Sequence, residues 1–195
     1  MNIVLSTRNP SKVEQIKAVF ADVPILVLTL GEAGIEGEAV EDGATLEENA
    51  MKKALFAHRP GEWSMADDTG LFIDVLDGRP GIHAARWAGD VSTDEITQYT
   101  LKQLDGAQDR SAIFKTVVAV VSPEGEQRFF IGEVRGTILE APRVKPQPKM
   151  PYSPLFVPDG SNKVWAEMTT EEENAISHRG KAFRLTREYL LKMLA

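Results

Sequence analysis

The chain has 195 residues, 43% hydrophobic and 26% charged, a balance that suits an ordinary globular protein with one domain or two lobes sharing a core. Its formal net charge of −7 excludes a protein that coats nucleic acid through a basic surface, although local cations and a hard metal ion can hold a triphosphate inside an acidic molecule. No apolar run approaches the roughly 18 residues of a membrane span. The opening MNIVLSTRNPSK has no basic leader, and the lack of cysteine excludes disulfides and thiolate metal sites, so a cytoplasmic protein with no membrane partner is expected.

Asn2 to Ser6 is a short apolar run that reads as a buried strand. A polar loop, Thr7-Arg8-Asn9-Pro10-Ser11-Lys12, leads into a helix with Val13, Ile16, Val19 and Phe20 on one face, and Pro10 and Ser11 suit its start. Ile25 to Leu30 reads as a second strand. Thr45-Leu46-Glu47-Glu48 matches a capping box, opening a helix with Leu46, Ala50 and Ala54 on one side. Met65 to Leu76 reads as strand, turn, strand around Asp67-Asp68-Thr69-Gly70, and Thr93 to Leu104 as a helix. Ala112 to Ser122 and Gln127 to Leu139 flank a Pro-Glu-Gly turn and predict an antiparallel hairpin. A proline-rich loop spans Pro142 to Pro154, and helical sequence runs from about Thr170 to Leu194. Together these elements predict a mixed-sheet α/β protein. No GxGxxG follows the first strand, so a doubly wound dinucleotide fold is not indicated.

Four clusters could carry chemistry. The loop before the first helix offers unpaired N–H groups and a positive dipole end, with Thr7, Asn9 and the Lys12 cation beside it; it reads equally as an ordinary capped loop. In Asp67-Asp68 the two carboxylates point to opposite faces if the backbone is extended, so only one meets a given cleft. There it can bind Mg²⁺ or activate water, and the alternative is a hydrogen-bonded turn. Glu41, Glu47, Glu48 and Lys53 surround the second helix as a metal-holding group or a solvated face; Glu41 and Asp68 could share one Mg²⁺. Ser177-His178-Arg179-Gly180 enters the last helix, where His and Arg can donate to phosphate or a base carbonyl, or simply form an exposed basic cap.

In this order the motifs resemble the inosine triphosphate pyrophosphatase family. The matching segments are STRNPSK (Ser6 to Lys12), EDGATLEENAMKKA (Glu41 to Ala54), ADDTGLFIDVLDGRPGIHAARWAG (Ala66 to Gly89), Gly132 to Ile138, and Pro154 to Ala182 with SHRGKA. The resemblance implies a mixed twisted sheet with flanking helices, in two lobes around a central nucleotide-binding cleft. It implies a homodimer that hydrolyses an NTP or dNTP to the monophosphate and pyrophosphate with Mg²⁺, removing non-canonical purines such as dITP, ITP and XTP. Carried over by position, Thr7, Asn9 and Lys12 contact phosphate, and Arg8 beside them binds substrate. Glu41 and Asp68 hold Mg²⁺, and Asp68 is also the base for the attacking water. Lys53 neutralises phosphate charge, Thr69 contacts substrate, and His178 with Arg179 reads the base.

The family's base-pocket loop is Gly-Phe-Gly-Tyr-Asp-Pro, and here it reads Lys149-Met150-Pro151-Tyr152-Ser153-Pro154. Met150 stands where the aromatic stacks, Ser153 where the family is acidic, and Glu173 where it commonly carries a lysine. Met150, Tyr152, Ser153 and Glu173 thus form an altered base side. A carboxylate accepts hydrogen bonds where lysine donates them, which favours a base edge with N–H donors, such as a guanine-like one. Broader selectivity through the adaptable Met150 is the competing outcome. A nucleotide-binding module without turnover, or a nucleotidyl or phosphoryl transferase using the same metal site, are the other readings.

Overall fold

The computed structural model describes residues 1–194. Ile3, Val4 and Leu5 are buried and form the core of β1 (Asn2–Leu5), which pairs in parallel with β2 (Leu26–Thr29) and with β3 (Trp63–Ile73). Parallel neighbours need crossovers. α1 (Pro10–Val19) joins β1 to β2, and α2 (Leu46–Ala57) precedes β3. The two-residue β4 (Pro80–Gly81) lies antiparallel against β3, and α3 (Thr93–Gln103) opens with a complete Ser92–Glu95 capping box. β5 (Ser111–Val121) and β6 (Gln127–Ile138) form the expected hairpin, and β7 (Phe156–Pro158) closes a sheet of order β2-β1-β3-β5-β6-β7. The mixed α/β architecture is as expected.

Three local expectations are corrected. Asp67 to Gly70 is not a turn: β3 runs unbroken, and every residue from Ser64 to Ile73 has a partner on β5. That ladder satisfies the backbone groups a turn would have had to satisfy locally. Gly70 instead permits close approach, because a Cβ there would lie 2.8 Å from the Phe72 ring and 3.0 Å from the Gly81 carbonyl oxygen. The closing helix is two helices, α4 (Thr170–Ile176) and α5 (His178–Lys192). The extended backbone of Ser177 breaks them, and its hydroxyl caps the Gly180 N–H at 3.0 Å. The Thr45 box is half formed: Thr45 accepts from the Glu48 N–H, whereas the Glu48 carboxylate takes the N–H of Ala44 at 2.7 Å.

The helices sandwich the sheet. Leu46, Ala50 and Ala54 of α2 pack on Ala66, Val117 and Ala119, where the small side chains let the helix come close. On the other face α1 and α5 place Ile16, Phe183 and Leu190 against Ile3, Leu5, Met65 and Val118. Each such fully buried Leu, Ile or Phe contributes about 1.5–3 kcal/mol. Gly132 of β6 admits α5: a Cβ there would fall 2.1 Å from the His178 carbonyl oxygen. A third cluster, including Leu71, Ile96, Phe114, Phe156 and Trp165, supports the far end of the sheet.

Candidate active site

A cleft of about 380 Å³ opens where β1, β3, α1, α2 and the start of α5 converge. At one end lies the β1–α1 loop. Asn9 accepts from the N–H groups of Ser11 and Lys12 at 3.1 and 3.4 Å, so its side chain takes up the first orphan donors of α1. Thr7 accepts from the Asn9 N–H at 3.3 Å. Arg8 lines the cleft, but its guanidinium donates to the Gly37 carbonyl at 2.7 Å, strapping the segment that carries Glu38 and Ala39 to the cleft wall.

The adjacent aspartates of β3 diverge as extended backbone requires. Asp67 turns toward α1 and α5: its Oδ2 lies 2.7 Å from Lys12 Nζ and 3.7 Å from Arg179 Nε. Burial disfavours the Asp67 carboxylate, yet Lys12, Arg179 and Lys53 overcome that cost and hold its pKa far below the ordinary range. Burial, opposed by Asp67, lowers the Lys12 pKa. Asp68 turns toward α2, where Lys53 Nζ stands 2.7 Å from its Oδ1 and 3.2 Å from Glu41 Oε2. Burial raises the Asp68 carboxyl pKa against the pull of Lys53. For Lys53, burial works against the ammonium, and Asp68, Asp67 and Glu41 together raise its pKa.

Glu41 and Asp68 therefore meet at one ammonium, and Asp68 Oδ2 is buried with no hydrogen-bond partner among the described residues. No third His, Cys, Asp or Glu joins them among the described residues. Mg²⁺ is commonly held by one or two carboxylates, with water and substrate phosphates completing its shell. The pair fits that ion. Glu47 and Glu48 do not line the cleft: Glu47 faces Lys115 at 3.8 Å, and Glu48 caps the helix start.

The other end is built from buried polar groups. His178 and Arg179 are not an exposed basic cap; they are only 4% and 6% exposed, because α5 begins against the sheet at Gly132. The His178 ring stacks on Phe114 with centroids 4.8 Å apart. Its Nδ1 lies 2.6 Å from Thr116 Oγ1, which lies 2.7 Å from Thr69 Oγ1, which donates to Asp67 Oδ2 at 3.4 Å. Each hydroxyl has one proton. With Thr69 donating to Asp67, Thr116 donates to Thr69 and accepts from His178 Nδ1–H. Nε2 is then a lone-pair acceptor, and burial followed by the Arg179 charge keeps the ring neutral by lowering its pKa well below the usual value. Thr69 thus ties the two ends together.

Glu173 also lines the cleft and is buried; burial raises its pKa, opposed by Arg179 and a hydrogen bond from Gln15. Met150 and Tyr152 of the proline-rich loop reach the same wall. The Tyr152 hydroxyl donates to the Ala84 carbonyl at 2.7 Å, and Ser153 is taken up within the loop, donating to the Met150 carbonyl at 2.8 Å and accepting from the Gln147 N–H at 2.9 Å. These two side chains hold the wall in shape. Sequence reasoning missed Gln15, Thr116, Phe114 and Trp165. The last three come from sequence that reads only as strand or connection, and Gln15 sits on a helix face with no motif to mark it.

A helix N-terminus beside paired lysines and carboxylates, facing a buried hydrogen-bonding pocket in one cleft, defines an enzyme that acts on nucleotide phosphates. The model of the Ham1 family matches residues 3–189. A dITP/XTP pyrophosphatase of Caldanaerobacter subterraneus subsp. tengcongensis is 40% identical, covering 100% of this chain and 98% of its own. Another from Christiangramia forsetii is 42% identical, covering 98% and 100%. The fold matches the Ham1 protein of Staphylococcus aureus with a TM-score of 0.84 at 31% identity, over 99% and 100% of the two chains. A HAM1 protein from Coxiella burnetii matches with a TM-score of 0.85 at 33% identity, over 98% and 99%. The chain belongs to the Ham1 family, and its class is nucleoside triphosphate pyrophosphatase.

Proposed function

We propose that the cleft hydrolyses purine (d)NTPs to the monophosphate and pyrophosphate, as a house-cleaning enzyme for non-canonical bases. The observation that carries this is Lys53 held between Glu41 and Asp68, with Lys12 and the open end of α1 beside it. The relatives named dITP/XTP pyrophosphatase support the same chemistry.

Thr7, Asn9 and Lys12, with the α1 N-terminus, bind the triphosphate. Glu41 and Asp68 would hold Mg²⁺, which supplies neutralisation of phosphate charge. Asp68 takes the proton of a water that attacks the α-phosphorus; the new O–P bond forms as the bond to the β-phosphate oxygen breaks, and pyrophosphate leaves. Lys12 and Lys53 stabilise the charge that grows on the phosphoryl oxygens, a contribution typical of phosphoryl chemistry. For each lysine the substrate replaces a carboxylate partner already in place.

On the base side, Arg179 donates to a carbonyl, while His178 Nε2 and Glu173 accept from N–H groups. This pattern fits a 6-oxopurine, whose ring N–H adjoins its carbonyl. Met150 provides the adaptable apolar contact for the ring. The motif resemblance further supports a cytoplasmic homodimer. Among the described residues no helix is long and apolar enough to cross a membrane. Measuring pyrophosphate release from ITP, XTP, dGTP and dUTP with Mg²⁺ tests the proposal. Release from ITP and XTP is expected to exceed that from dGTP and dUTP. No pyrophosphate from any substrate would leave a binding module, and orthophosphate or a nucleotidylated acceptor would point to a transferase.

A further inference from the structure

Phe114 and Thr116 stand two residues apart on β5, hence on one face of the sheet, and both meet His178. The Phe114 ring stacks on the imidazole with centroids 4.8 Å apart and fixes its plane. Thr116 Oγ1, 2.6 Å from Nδ1, fixes what that nitrogen carries. The close approach is possible because Gly132 of β6 pairs with Thr116, and a Cβ there would fall 2.1 Å from the His178 carbonyl oxygen. Thr116 is wholly buried, so bulk water supplies its hydroxyl with neither a donor nor an acceptor.

The direction of the Thr116–His178 bond is set two residues away, at Asp67. Thr116 lies opposite Thr69 in the β3–β5 ladder with the two hydroxyls 2.7 Å apart, and Thr69 Oγ1 lies 3.4 Å from Asp67 Oδ2. Asp67 is buried, and its Oδ1 has no partner among the described residues. A buried carboxylate short of donors draws the Thr69 proton more strongly than a neutral hydroxyl does. Thr116 then gives its one proton to Thr69 and keeps only a lone pair for His178. The ring carries its proton on Nδ1, and Nε2 is bare. Among the described residues no donor reaches Nε2, and His178 lines the cleft.

Purines differ at the edge that such a nitrogen meets. In a 6-oxopurine N1 bears a proton beside a carbonyl; in a 6-aminopurine N1 is a lone pair beside an amino group. A bare Nε2 accepts from the first and opposes the second. Arg179 favours the carbonyl but leaves N1 unread, so the ring nitrogen adds an independent check on the same edge. We infer that Thr116 is a positioning residue for base selection: by holding the His178 proton on Nδ1 it makes Nε2 an acceptor that admits 6-oxopurine triphosphates and rejects 6-aminopurine ones. This role rests on the reading of the cleft as the pyrophosphatase site with His178 at the base.

The test uses the full chain as wild type, Thr116→Val and Thr116→Ser. Long-range ¹⁵N–¹H NMR of the histidine rings at neutral pH shows which nitrogen of His178 is protonated, its signals identified by their loss in His178→Gln. Nδ1 is expected to carry the proton in wild type and in Thr116→Ser. In Thr116→Val that proton would be buried against a methyl group, so it is expected on Nε2, where cleft water accepts it. Pyrophosphate release with Mg²⁺ gives kcat/KM for ITP and ATP, and their ratio does not depend on the fraction of enzyme that is folded. Wild type is expected to favour ITP by about 10²-fold or more. Thr116→Val is expected to cut that ratio by about tenfold, the size of one hydrogen bond, and Thr116→Ser to keep it within about threefold of wild type. A wild-type ring protonated on Nε2, or a proton that stays on Nδ1 in Thr116→Val, overturns the role of Thr116. So does a proton that moves while the ratio stays unchanged, which leaves Thr116 a core residue. No pyrophosphate from ITP in wild type overturns the reading of the cleft and the selective role with it, and the ring spectrum tells that failure from a wrong tautomer.

Discussion

At the end of the cleft proposed to hold phosphate, Lys12 sits directly against Asp67 and Lys53 against Asp68 and Glu41, whereas at the proposed base end charged groups are joined through neutral ones. Gln15 stands between Arg179 and Glu173, and Thr69 and Thr116 stand between Asp67 and His178. The difference follows from what each end has to do. Phosphate recognition needs net charge that can be transferred from one anion to another, and direct pairs keep lysines ionised in a buried place until substrate arrives. Base recognition needs hydrogen-bond direction, and neutral groups with distinct donor and acceptor ends fix direction as a bare ion pair cannot.

Breaking the phosphate end has the largest expected effect. Asp68→Asn removes the proposed proton acceptor and is expected to lower kcat by about 10³-fold or more while the far-ultraviolet circular dichroism is unchanged; turnover at the wild-type level would remove Asp68 from its role. Next is Lys53→Met, which leaves Glu41 and Asp68 facing each other without their shared cation. Its kcat is expected to fall by about 10²-fold for every base alike, measured across the same triphosphate panel. A loss that depended on the base would show that the two ends are not separable.

At the base end the effects are smaller and selective. Glu173→Gln offers a donor as well as an acceptor to the cleft, so the ratio of kcat/KM for ITP to that for dGTP is expected to change by about tenfold, with kcat for ITP within a few-fold of wild type. An equal loss for all bases would move Glu173 out of the base pocket. The smallest effect concerns stability. The His178 pKa is lowered by burial and by Arg179 in the folded state, so the unfolded chain binds a proton that the folded chain refuses. Stability therefore rises with pH through this window and is lost as pH falls below the unfolded value of about 6.5. Urea denaturation is expected to show lower stability at pH 5.5 than at pH 7.5. His178→Gln is expected to flatten that slope, and an unchanged slope would assign it to other groups.

β1, β2, the hairpin and the first three helices were legible because period and caps are local: Asn9 and Pro10, Ser92 with Glu95, and the turn near Gly125 each act within a few residues, whereas the short β4 and β7 left no pattern of their own. The Asp67 to Gly70 stretch misled for the same reason. Its composition is that of a turn, and only pairing with β5 along its whole length made it a strand. Ser177 was legible as a helix start but not as the point that ends the preceding helix, because the break depends on Gly180 fitting a Cβ-free position beside the Asn174 carbonyl, which a Cβ would approach to 2.0 Å.

Asp68, Lys12, Lys53 and Glu41 could be picked out by residue type and motif, because hard-cation and phosphate chemistry admits few side chains. The sequence by itself determined a mixed α/β frame, the residues to be weighed as a phosphate-handling set, and that Asp67 and Asp68 must diverge if extended. Tertiary structure decided which aspartate meets Glu41, since only the packing of α2 on one face and α1 with α5 on the other tells them apart. It also decided that His178 and Arg179 are buried, and that Gln15 stands between charges contributed by two other helices. Those contacts join residues more than 150 positions apart. No local pattern encodes them, because the hydrogen bonds form only after burial has brought the helices together.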